Sequence, residues 1–254
     1  MNMKQLNPYN LAGKTALVTG SSRGIGRATA LKLARLGAKV IFHGVRESEK
    51  LLSAVAEAGG EAEFLTADFG NMDEVASFAD TLKKRASIPD ILVLNASVQS
   101  YTGLANFDCQ EFLRMFQTNV ESSCLLLHEL LPEMRRKASG RVIIVGSING
   151  IQPASRLAIY GATKAALMNI AKTAALENAP YGITVNTILP GVIETDRNAA
   201  ALSNVEFADK LRAQIPMHRF GTAEECADLI SFLASDASSY ITGAEIPIAG
   251  GWQL

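Results

Sequence analysis

The sequence predicts a doubly wound α/β fold, in which helices cover both faces of one seven-stranded parallel sheet. Two observations carry this prediction. Short apolar runs alternate with segments of helical periodicity along the chain, which is the element order of βα units. The strand runs are apolar at nearly every position, as expected for strands that are buried on both faces. No repeat, low-complexity segment or linker divides the 254 residues, so we expect one domain over residues 1–254.

The first half of the chain supplies four strands and four helices in alternation. The strand runs are KTALVT (14–19), AKVIFH (38–43), AEFLTA (62–67) and DILVLNA (90–96). Helical periodicity follows each of them, over residues 24–37, 47–58, 71–85 and about 108–137. Asn71 and Glu74 have the spacing of a capping box, which places the start of the third helix.

The second half continues the alternation with three more strands, GRVIIVGS (140–147), GITVNTILPG (182–191) and AEIPIA (244–249). An alanine-rich helix over residues 158–178 follows the fifth strand. A variable stretch, residues 192–215, follows the sixth. Thr222 and Glu225 then mark the start of a last helix over residues 222–235, because they also have capping-box spacing.

The composition argues against several classes of protein. A formal net charge of −1 shows no excess of the basic residues that nucleic-acid binding requires. No apolar run approaches the roughly 18 residues of a membrane span. Residues 1–10 lack the apolar core of a secretory signal, and we expect a flexible lead-in there. The three cysteines and three histidines are scattered without metal-ligand spacing, which favours a cytoplasmic protein with no disulfide and no metal site.

A glycine-rich turn joins the first strand to the first helix. Its sequence TGSSRGIG (19–26) has the pattern T-G-x-x-x-G-x-G and does not fit the dinucleotide fingerprint G-x-G-x-x-G. Gly20, Gly24 and Gly26 would let the backbone approach a pyrophosphate, and the helix N-terminus would offer it free N–H groups. A tight turn without a ligand is the alternative. The position between a strand and a helix favours phosphate binding.

The residues after the second strand favour NADP(H) over NAD(H). An acidic residue at this position would hold the free ribose of NAD. Gly44 and Val45 stand there instead, followed by Arg46, and Arg23 lies within the glycine turn. Two arginines and no acid suit a 2′-phosphate. The alternative is that both arginines are solvated surface residues.

The alanine-rich helix carries a phenol and an ammonium on one face, because Tyr160 and Lys164 are four residues apart. A neighbouring ammonium favours the phenolate, so we expect Lys164 to lower the pKa of Tyr160 from its ordinary value near 10. Ser147 follows the fifth strand, Asn95 follows the fourth, and Asn119 interrupts the long helix. These residue types together indicate acid–base chemistry on a bound oxygen.

With these motifs the chain resembles the compact short-chain dehydrogenases/reductases. The resemblance runs from Gly13 to Gly251 and implies a Rossmann fold. It implies four catalytic residues, Asn119, Ser147, Tyr160 and Lys164. The cofactor-binding residues that it implies are Gly20, Ser22, Arg23, Gly24, Ile25, Gly26, Arg46, Asp68, Phe69, Asn95, Ala96, Ser97, Tyr160, Lys164, Pro190, Gly191, Ile193 and Thr195.

The resemblance also implies a mechanism. A hydride would move between nicotinamide and a carbinol carbon, while Tyr160 transfers the proton on the oxygen. Ser147 would hydrogen-bond that oxygen. Lys164 would lower the pKa of Tyr160 and bind the nicotinamide ribose, and Asn119 would anchor a water that relays protons. Ser97 departs from the family's N-A-G motif and would add a hydroxyl beside the cofactor.

The substrate is the least determined property. The expected substrate contacts are Gln99, Ser147, Asn149, Gln152 and Tyr160. The stretch 192–215 would form a lid, which we call the lid below. Polar residues at its start indicate a sugar derivative or a keto acid, although loops are polar in general; they are Glu194, Arg197 and Asn198. A 3-oxoacyl compound stays possible, but Tyr181 stands where carrier-protein reductases often have a basic residue. The basic residues 135–137 remain near the end of the long helix.

Two further expectations concern function and assembly. A non-catalytic NADP-binding scaffold or sensor on the same fold is the alternative function, which the presence of all four catalytic residue types disfavours. The family also implies a homotetramer, in which residues 108–137 and 158–178 pack against their symmetry mates. Small residues of the second helix would allow the close approach: Ala162, Ala165, Ala166 and Ala171.

Overall fold

The computed structural model describes residues 7–59, 62–85 and 88–254, and it confirms the doubly wound α/β fold. Seven strands in this part of the chain form one parallel sheet in the order β3-β2-β1-β4-β5-β6-β7. The strands are β1 (Thr15–Val18), β2 (Lys39–Gly44), β3 (Glu63–Thr66), β4 (Ile91–Leu94), β5 (Gly140–Val145), β6 (Ile183–Pro190) and β7 (Glu245–Ile248). The strand order reverses between β1 and β4, which is the switch point of the sheet.

Helices connect the strands and cover both faces of the sheet. Those in the described part of the chain are α1 (Gly24–Arg35), α2 (Glu49–Ala58), α3 (Met72–Lys84), α4 (Cys109–Phe116), α5 (Ser122–Lys137), α6 (Ala158–Asn178), α7 (Asp196–Leu202), α8 (Val205–Gln214) and α9 (Ala223–Ala234). Side chains cap several of them, as the sequence predicts. Asn71 accepts a hydrogen bond at the start of α3, and Thr222 and Glu225 form a capping box at the start of α9.

The core has two layers, one on each face of the sheet. Successive residues of β4 show the arrangement, since Leu92 and Leu94 pack with residues of α3, α5 and α6. Ile91 and Val93 point the other way and pack with residues of α1, α2 and α9. Both faces of each central strand are therefore apolar, and this explains why the strand runs in the sequence do not alternate with polar residues.

The predicted elements are confirmed in type and order, with boundaries that differ by a few residues. The helix expected over residues 108–137 is divided into α4 and α5 by one π-helical turn, Gln117–Glu121. Such turns occur often at functional sites. The lid contains α7 and α8.

The N-terminal lead-in is only partly within the described residues, since residues 1–6 lie outside them. Residues 7–10 form a turn, and Asp236 N donates a hydrogen bond to Pro8 O at 3.2 Å. This part of the lead-in therefore contacts the segment that follows α9. Among the described helices, none is long and apolar enough to cross a membrane.

Candidate active site

A cleft of about 750 Å³ opens at the carboxyl edge of the sheet, beside the switch point between β1 and β4. Ligands bind at this place in doubly wound folds. Most of the predicted site residues line it, namely Gly20, Ser22, Arg23, Gly24, Ile25, Asp68, Phe69, Asn95, Ala96, Ser97, Gln99, Ser147, Asn149, Tyr160, Lys164, Pro190, Gly191, Ile193 and Thr195. Four others are absent from the described lining: Gly26, Arg46, Asn119 and Gln152.

Hydrogen bonds between side chains and backbone link the glycine turn to the end of β4. Thr19 Oγ1 accepts hydrogen bonds from Asn95 N and Ala96 N, both at 2.9 Å. Asn95 Nδ2 donates to Thr19 O at 2.8 Å. Gly26 lies beneath the turn, where a Cβ atom would be 2.4 Å from Gly20 O. Only glycine permits this contact, so Gly26 shapes the turn without lining the cleft.

The N-terminus of α1 is left free to bind an anion. Arg23 occupies its N-cap position, and the Arg23 side chain forms no capping hydrogen bond. The first turn of α1 also contains no acidic residue. By contrast, Ser48 and Asn71 cap α2 and α3 through their side chains. Uncapped N–H groups beside a glycine backbone fit a pyrophosphate, because the helix dipole favours negative charge there.

His43, the fifth residue of β2, is a buried part of the cleft wall that the sequence did not single out. Gly20 N donates to its Nδ1 at 3.0 Å, and its Nε2 lies 3.0 Å from Ala67 O. Nδ1 is therefore the acceptor and Nε2 the donor, which defines the neutral tautomer. Burial lowers the pKa of His43 from 6.5 to about 4. The ring also stacks on Phe69 at 3.9 Å between centroids. The one feature of the sequence that could have identified His43 as a site residue is its place in an otherwise apolar strand run.

The wall near β3 carries the residues expected at the adenine. Asp68 Oδ1 accepts a hydrogen bond from Gly70 N at 2.9 Å, and Asp68 Oδ2 lies 3.7 Å from Arg114 Nη2. Thr118 also lines the cleft. Its Oγ1 is buried and has no hydrogen-bond partner among the described residues. A buried hydroxyl without a partner is costly, and a bound ligand would remove that cost.

Arg46, which was also expected to contact the cofactor, is exposed and is absent from the described cleft lining. The strand β2 ends at Gly44, and the chain bends at residues 45–46 before Ser48 caps α2. The contact of Arg46 with the cofactor stays a prediction. Arg23 is the predicted arginine that does line the cleft.

Ser147, Tyr160 and Lys164 come together at the opposite wall. Ser147 follows β5, and its Oγ accepts a hydrogen bond from Asn149 N at 3.1 Å. Tyr160 and Lys164 lie one turn apart on α6 and are only 6% and 2% exposed. Lys164 Nζ donates to Val145 O at 2.8 Å and lies 5.7 Å from the centroid of the Tyr160 ring. A phenol, a hydroxyl and an amine thus share one buried corner of the cleft.

The acid–base properties of this corner differ from the expectation that Lys164 lowers the pKa of Tyr160. Burial raises the pKa of the Tyr160 phenol, whereas the charge of Arg197 and hydrogen bonding with Ser147 act to lower it. Among the residues that the structure describes, Lys164 is not one of those that shift the pKa of Tyr160. The pKa of Lys164 itself falls to about 7, first through burial and then through the charge of Arg197. Its charge near neutral pH is therefore only partial.

Asn119 is buried in the π-helical turn and supports the cleft from behind. Its Oδ1 accepts a hydrogen bond from Val98 N at 2.8 Å. Its Nδ2 donates to Val98 O at 2.9 Å and to Thr163 Oγ1 at 3.0 Å. The side chain thereby joins the loop after β4 to α6. Gln152, an expected substrate contact, is exposed and is absent from the described cleft lining.

The lid contacts two different walls of the cleft. Asp196 Oδ2 forms a salt bridge with Lys50 of α2. Arg197 Nη2 donates to Ser97 O at 2.7 Å and to Ser97 Oγ at 3.0 Å. The Ser97 hydroxyl, which was expected to stand beside the cofactor, therefore accepts a hydrogen bond from the lid. The sequence had placed Arg197 in a polar lid but not in the site.

Comparisons with known proteins agree with this geometry. The family model described as enoyl-(acyl carrier protein) reductase matches residues 20–253. The chain belongs to the short-chain dehydrogenase/reductase family. It is 39% identical over 246 residues to the 3-oxoacyl-(acyl-carrier-protein) reductase FabG of Escherichia coli K12, an alignment that covers 96% of this chain and 99% of the relative.

Solved structures of the same family superimpose closely. One is a 3-oxoacyl-(acyl-carrier-protein) reductase from Agrobacterium tumefaciens C58 with NADP bound, with a TM-score of 0.92, 36% identity and coverage of 99% of this chain and 98% of that one. Another is a gluconate 5-dehydrogenase from Burkholderia cenocepacia in complex with NADP and tartrate, with a TM-score of 0.91, 29% identity and 98% coverage of both chains. This short-chain dehydrogenase/reductase is therefore an oxidoreductase.

Proposed function

We propose that the protein transfers a hydride between NADP(H) and a carbonyl or secondary alcohol of a small polar substrate. The observation that carries this proposal is the buried corner of Ser147, Tyr160 and Lys164, which faces the glycine turn across one cleft. Hydride transfer needs a phenol that exchanges a proton and a turn that holds the dinucleotide, and both must lie near the reacting carbon. The cleft provides both within a single space.

Each residue of the corner has a role in this proposal. Tyr160 gives a proton to the substrate oxygen in reduction and takes it back in oxidation, while Ser147 hydrogen-bonds the same oxygen. Lys164 has a pKa of about 7, so it can release and accept protons near neutral pH and can stabilise the phenolate when charged. Asn119 positions Thr163, the residue before Lys164. The nicotinamide, when bound, supplies or accepts the hydride.

The residues of the cleft fit NADP(H). The free N-terminus of α1 and the glycine turn would hold the pyrophosphate. Asp68 and the unpartnered Thr118 hydroxyl lie where the adenine end would bind. Arg23 would contact the 2′-phosphate, and no acidic residue stands at Gly44 or Val45 to repel it. The NADP bound in two similar structures supports this choice. The remaining contacts, near the nicotinamide, would be Pro190, Gly191, Ile193 and Thr195.

For the substrate we propose a sugar derivative, a keto acid or a 3-oxoacyl compound, in line with the relatives named above. Delivery by an acyl carrier protein is the less favoured case, because the basic run 135–137 is used within the chain. Arg135 Nε donates to Asn178 Oδ1 at 2.7 Å and stacks over Tyr181. The other two cations of the run, Arg136 and Lys137, pair with Glu133 and Asp90.

We also propose that residues 1–254 form a single cytoplasmic domain that assembles as a homotetramer. Leu113 of α4 and Leu176 of α6 are 49% and 80% exposed, so the helices expected at the interface carry apolar surface. Ala162 and Ala165 are exposed on α6. Ala171 is buried in the core of its own subunit, which corrects its expected place at the interface. Light scattering should give a tetramer, and a monomer at micromolar concentration would contradict the assembly.

The proposed function is tested by a panel of carbonyl compounds with NADPH and NADH as alternative reductants. The panel contains keto sugars, keto acids, 3-oxoacyl thioesters and steroids, and cofactor fluorescence reports turnover. We expect a polar carbonyl compound to consume NADPH, with NADH less effective. Fluorescence titration without substrate measures affinity for both cofactors separately. Equal affinity for NADH would overturn the NADP(H) assignment, and binding of NADPH without turnover of any compound would overturn the catalytic one.

A further inference from the structure

Arg197 crosses from the lid to the wall of the cleft. It is the second residue of α7, and its Nη2 donates to both the carbonyl and the hydroxyl oxygen of Ser97. Ser97 lies in the loop after β4. A hydroxyl at this position, where the family motif has glycine, therefore gives the guanidinium a second acceptor. The departure in the motif and the arginine in the lid are parts of one arrangement.

Arg197 lines the same cleft as Ser147, Tyr160 and Lys164. Its positive charge acts on both Tyr160 and Lys164, which are buried and poorly screened by solvent. Arg197 forms no salt bridge with a carboxylate in the part of the chain that the structure describes. It thus brings an uncompensated positive charge to the place where the substrate oxygen would bind.

The acidic residues of the cleft do not offset this charge. Asp68 and Asp196 are the acids in the described lining, and each already faces a cation. Asp68 lies near Arg114, and Asp196 forms a salt bridge with Lys50. The corner beside Tyr160 therefore combines a lid arginine and a lysine with no free carboxylate, which favours an anionic substrate group there.

We propose that Arg197 binds the carboxylate of an oxo acid whose carbonyl oxygen lies between Ser147 and Tyr160. This proposal rests on the proposed function and names the substrate class of that site. The guanidinium reaches the phenol, so the carboxylate and the carbonyl must be close in the substrate, as in 2-oxo and 3-oxo acids and the corresponding hydroxy acids. Ser97 acts as a positioning residue, because its two oxygens hold Nη2 in place. A guanidinium recognises a carboxylate through paired, charge-assisted hydrogen bonds.

The test compares acetoacetate with methyl acetoacetate, which share the carbonyl and differ in the negative charge. Calorimetry measures the binding of each to the enzyme saturated with NADP⁺, a complex in which a ketone cannot be reduced. We expect the acid to bind roughly 10- to 150-fold more tightly than the ester, since charge-assisted hydrogen bonds contribute about that ratio. Arg197→Met should remove the difference by weakening only the acid. Ser97→Ala should reduce it by a few-fold.

Lys210→Met is the matched control, because Lys210 also lines the cleft from the lid but pairs with Glu206. This variant should keep the preference for the acid. Equal binding of acid and ester by the wild type would overturn the proposal. A loss of NADP⁺ affinity in Arg197→Met, with acid and ester affected alike, would also overturn it and make Arg197 a cofactor contact. Failure of the proposed function is a separate result: the acid would still bind through Arg197, but no carbonyl compound would consume NADPH.

Discussion

The glycine turn and the helix α7 of the lid both line the cleft, yet different kinds of contact hold them in place. The turn is fixed by backbone packing, since Gly26 leaves no room for a Cβ atom beside Gly20 O. The helix α7 of the lid contacts the cleft walls through the ends of its side chains, in the Lys50–Asp196 and Arg197–Ser97 contacts. Backbone packing suits the binding of the dinucleotide that the whole family shares. Exchangeable side chains suit the substrate that distinguishes one member from another.

The two regions should also differ in rigidity. Lys50 and Asp196 are 66% and 48% exposed, and exposed salt bridges contribute only about 0–1 kcal/mol. The glycine turn is tied to β4 and β2 by several hydrogen bonds that are largely shielded from solvent. We therefore expect α7 to be more mobile than the glycine turn, as a segment that admits substrate would need to be.

The largest effect is expected at Tyr160, on the wall opposite the glycine turn. Tyr160→Phe keeps the ring and the packing but removes the proton that is exchanged. We expect kcat to fall by roughly 10²–10⁴, as for the loss of a general acid–base group, with unchanged affinity for NADPH. Steady-state kinetics and cofactor titration measure the two quantities. Tyr181→Phe, at an exposed tyrosine outside the cleft, is the control. Turnover of Tyr160→Phe within a few-fold of wild type would contradict the assigned role.

The glycine turn should be the region that tolerates substitution least. In Gly26→Ala the new Cβ atom meets Gly20 O at 2.4 Å and Asn95 Nδ2 at 2.5 Å. We expect a loss of about 1–3 kcal/mol in the free energy of unfolding, as for overpacked sites, and weaker NADPH binding. Chemical denaturation and cofactor titration check this. Gly103→Ala serves as the comparison, because nothing lies within 4 Å of its added Cβ. Equal free energies of unfolding for the two variants would contradict the tight packing at Gly26.

His43, which accepts a hydrogen bond from the glycine turn, should make the stability of the protein sensitive to acid. Its pKa is 6.5 in the unfolded chain and about 4 in the folded protein, so between these values the unfolded state binds more protons. Its contribution to stability is therefore fully present above about pH 6.5 and is lost as the pH falls towards 4. We expect about 2 kcal/mol less stability at pH 5 than at pH 7 from this group.

Urea denaturation at the two pH values, in wild type and in His43→Asn, isolates this contribution. The variant has no imidazole to protonate, so its stability should change less between the two pH values. An identical change in both proteins would show that His43 does not carry the pH dependence.

The smallest effect is expected at the lid salt bridge. Lys50→Met removes the partner of Asp196, and the stability should fall by less than about 1 kcal/mol. The pKa of Asp196 should rise towards its ordinary value, because the hydrogen bond and charge of Lys50 are the main causes that lower it. Calorimetric unfolding and NMR titration measure the two changes. A loss in the free energy of unfolding as large as that of Gly26→Ala would mean that the lid is held as firmly as the glycine turn.

The difference between local and long-range contacts explains which features could be predicted from the sequence. The order of strands and helices follows from local apolar patterns, and the glycine turn follows from a short motif. Tyr160 and Lys164 are readable because helical spacing alone places them on one face. In each case the geometry depends on residues that are close in the sequence, or on the common edge at which parallel strands end.

The errors and omissions involve positions that only tertiary packing determines. Arg46 is exposed at the bend after β2, and the strand pattern does not show which way its side chain points. The spacing of Tyr160 and Lys164 could not show that burial and the charge of Arg197 govern the pKa of the amine. His43 and Arg197 were missed as site residues because their partners lie far away in the chain. No local motif records such contacts.

The central claim is that the cleft transfers a hydride from NADPH and that Tyr160 transfers the accompanying proton. The most direct measurement uses NADPH with deuterium at both C4 positions of the nicotinamide, together with the carbonyl compound that the panel identifies. Mass spectrometry of the alcohol product should show one deuterium on the carbinol carbon with the wild type and almost no product with Tyr160→Phe. A product without deuterium, or deuterated product formed equally fast by Tyr160→Phe, would contradict the account.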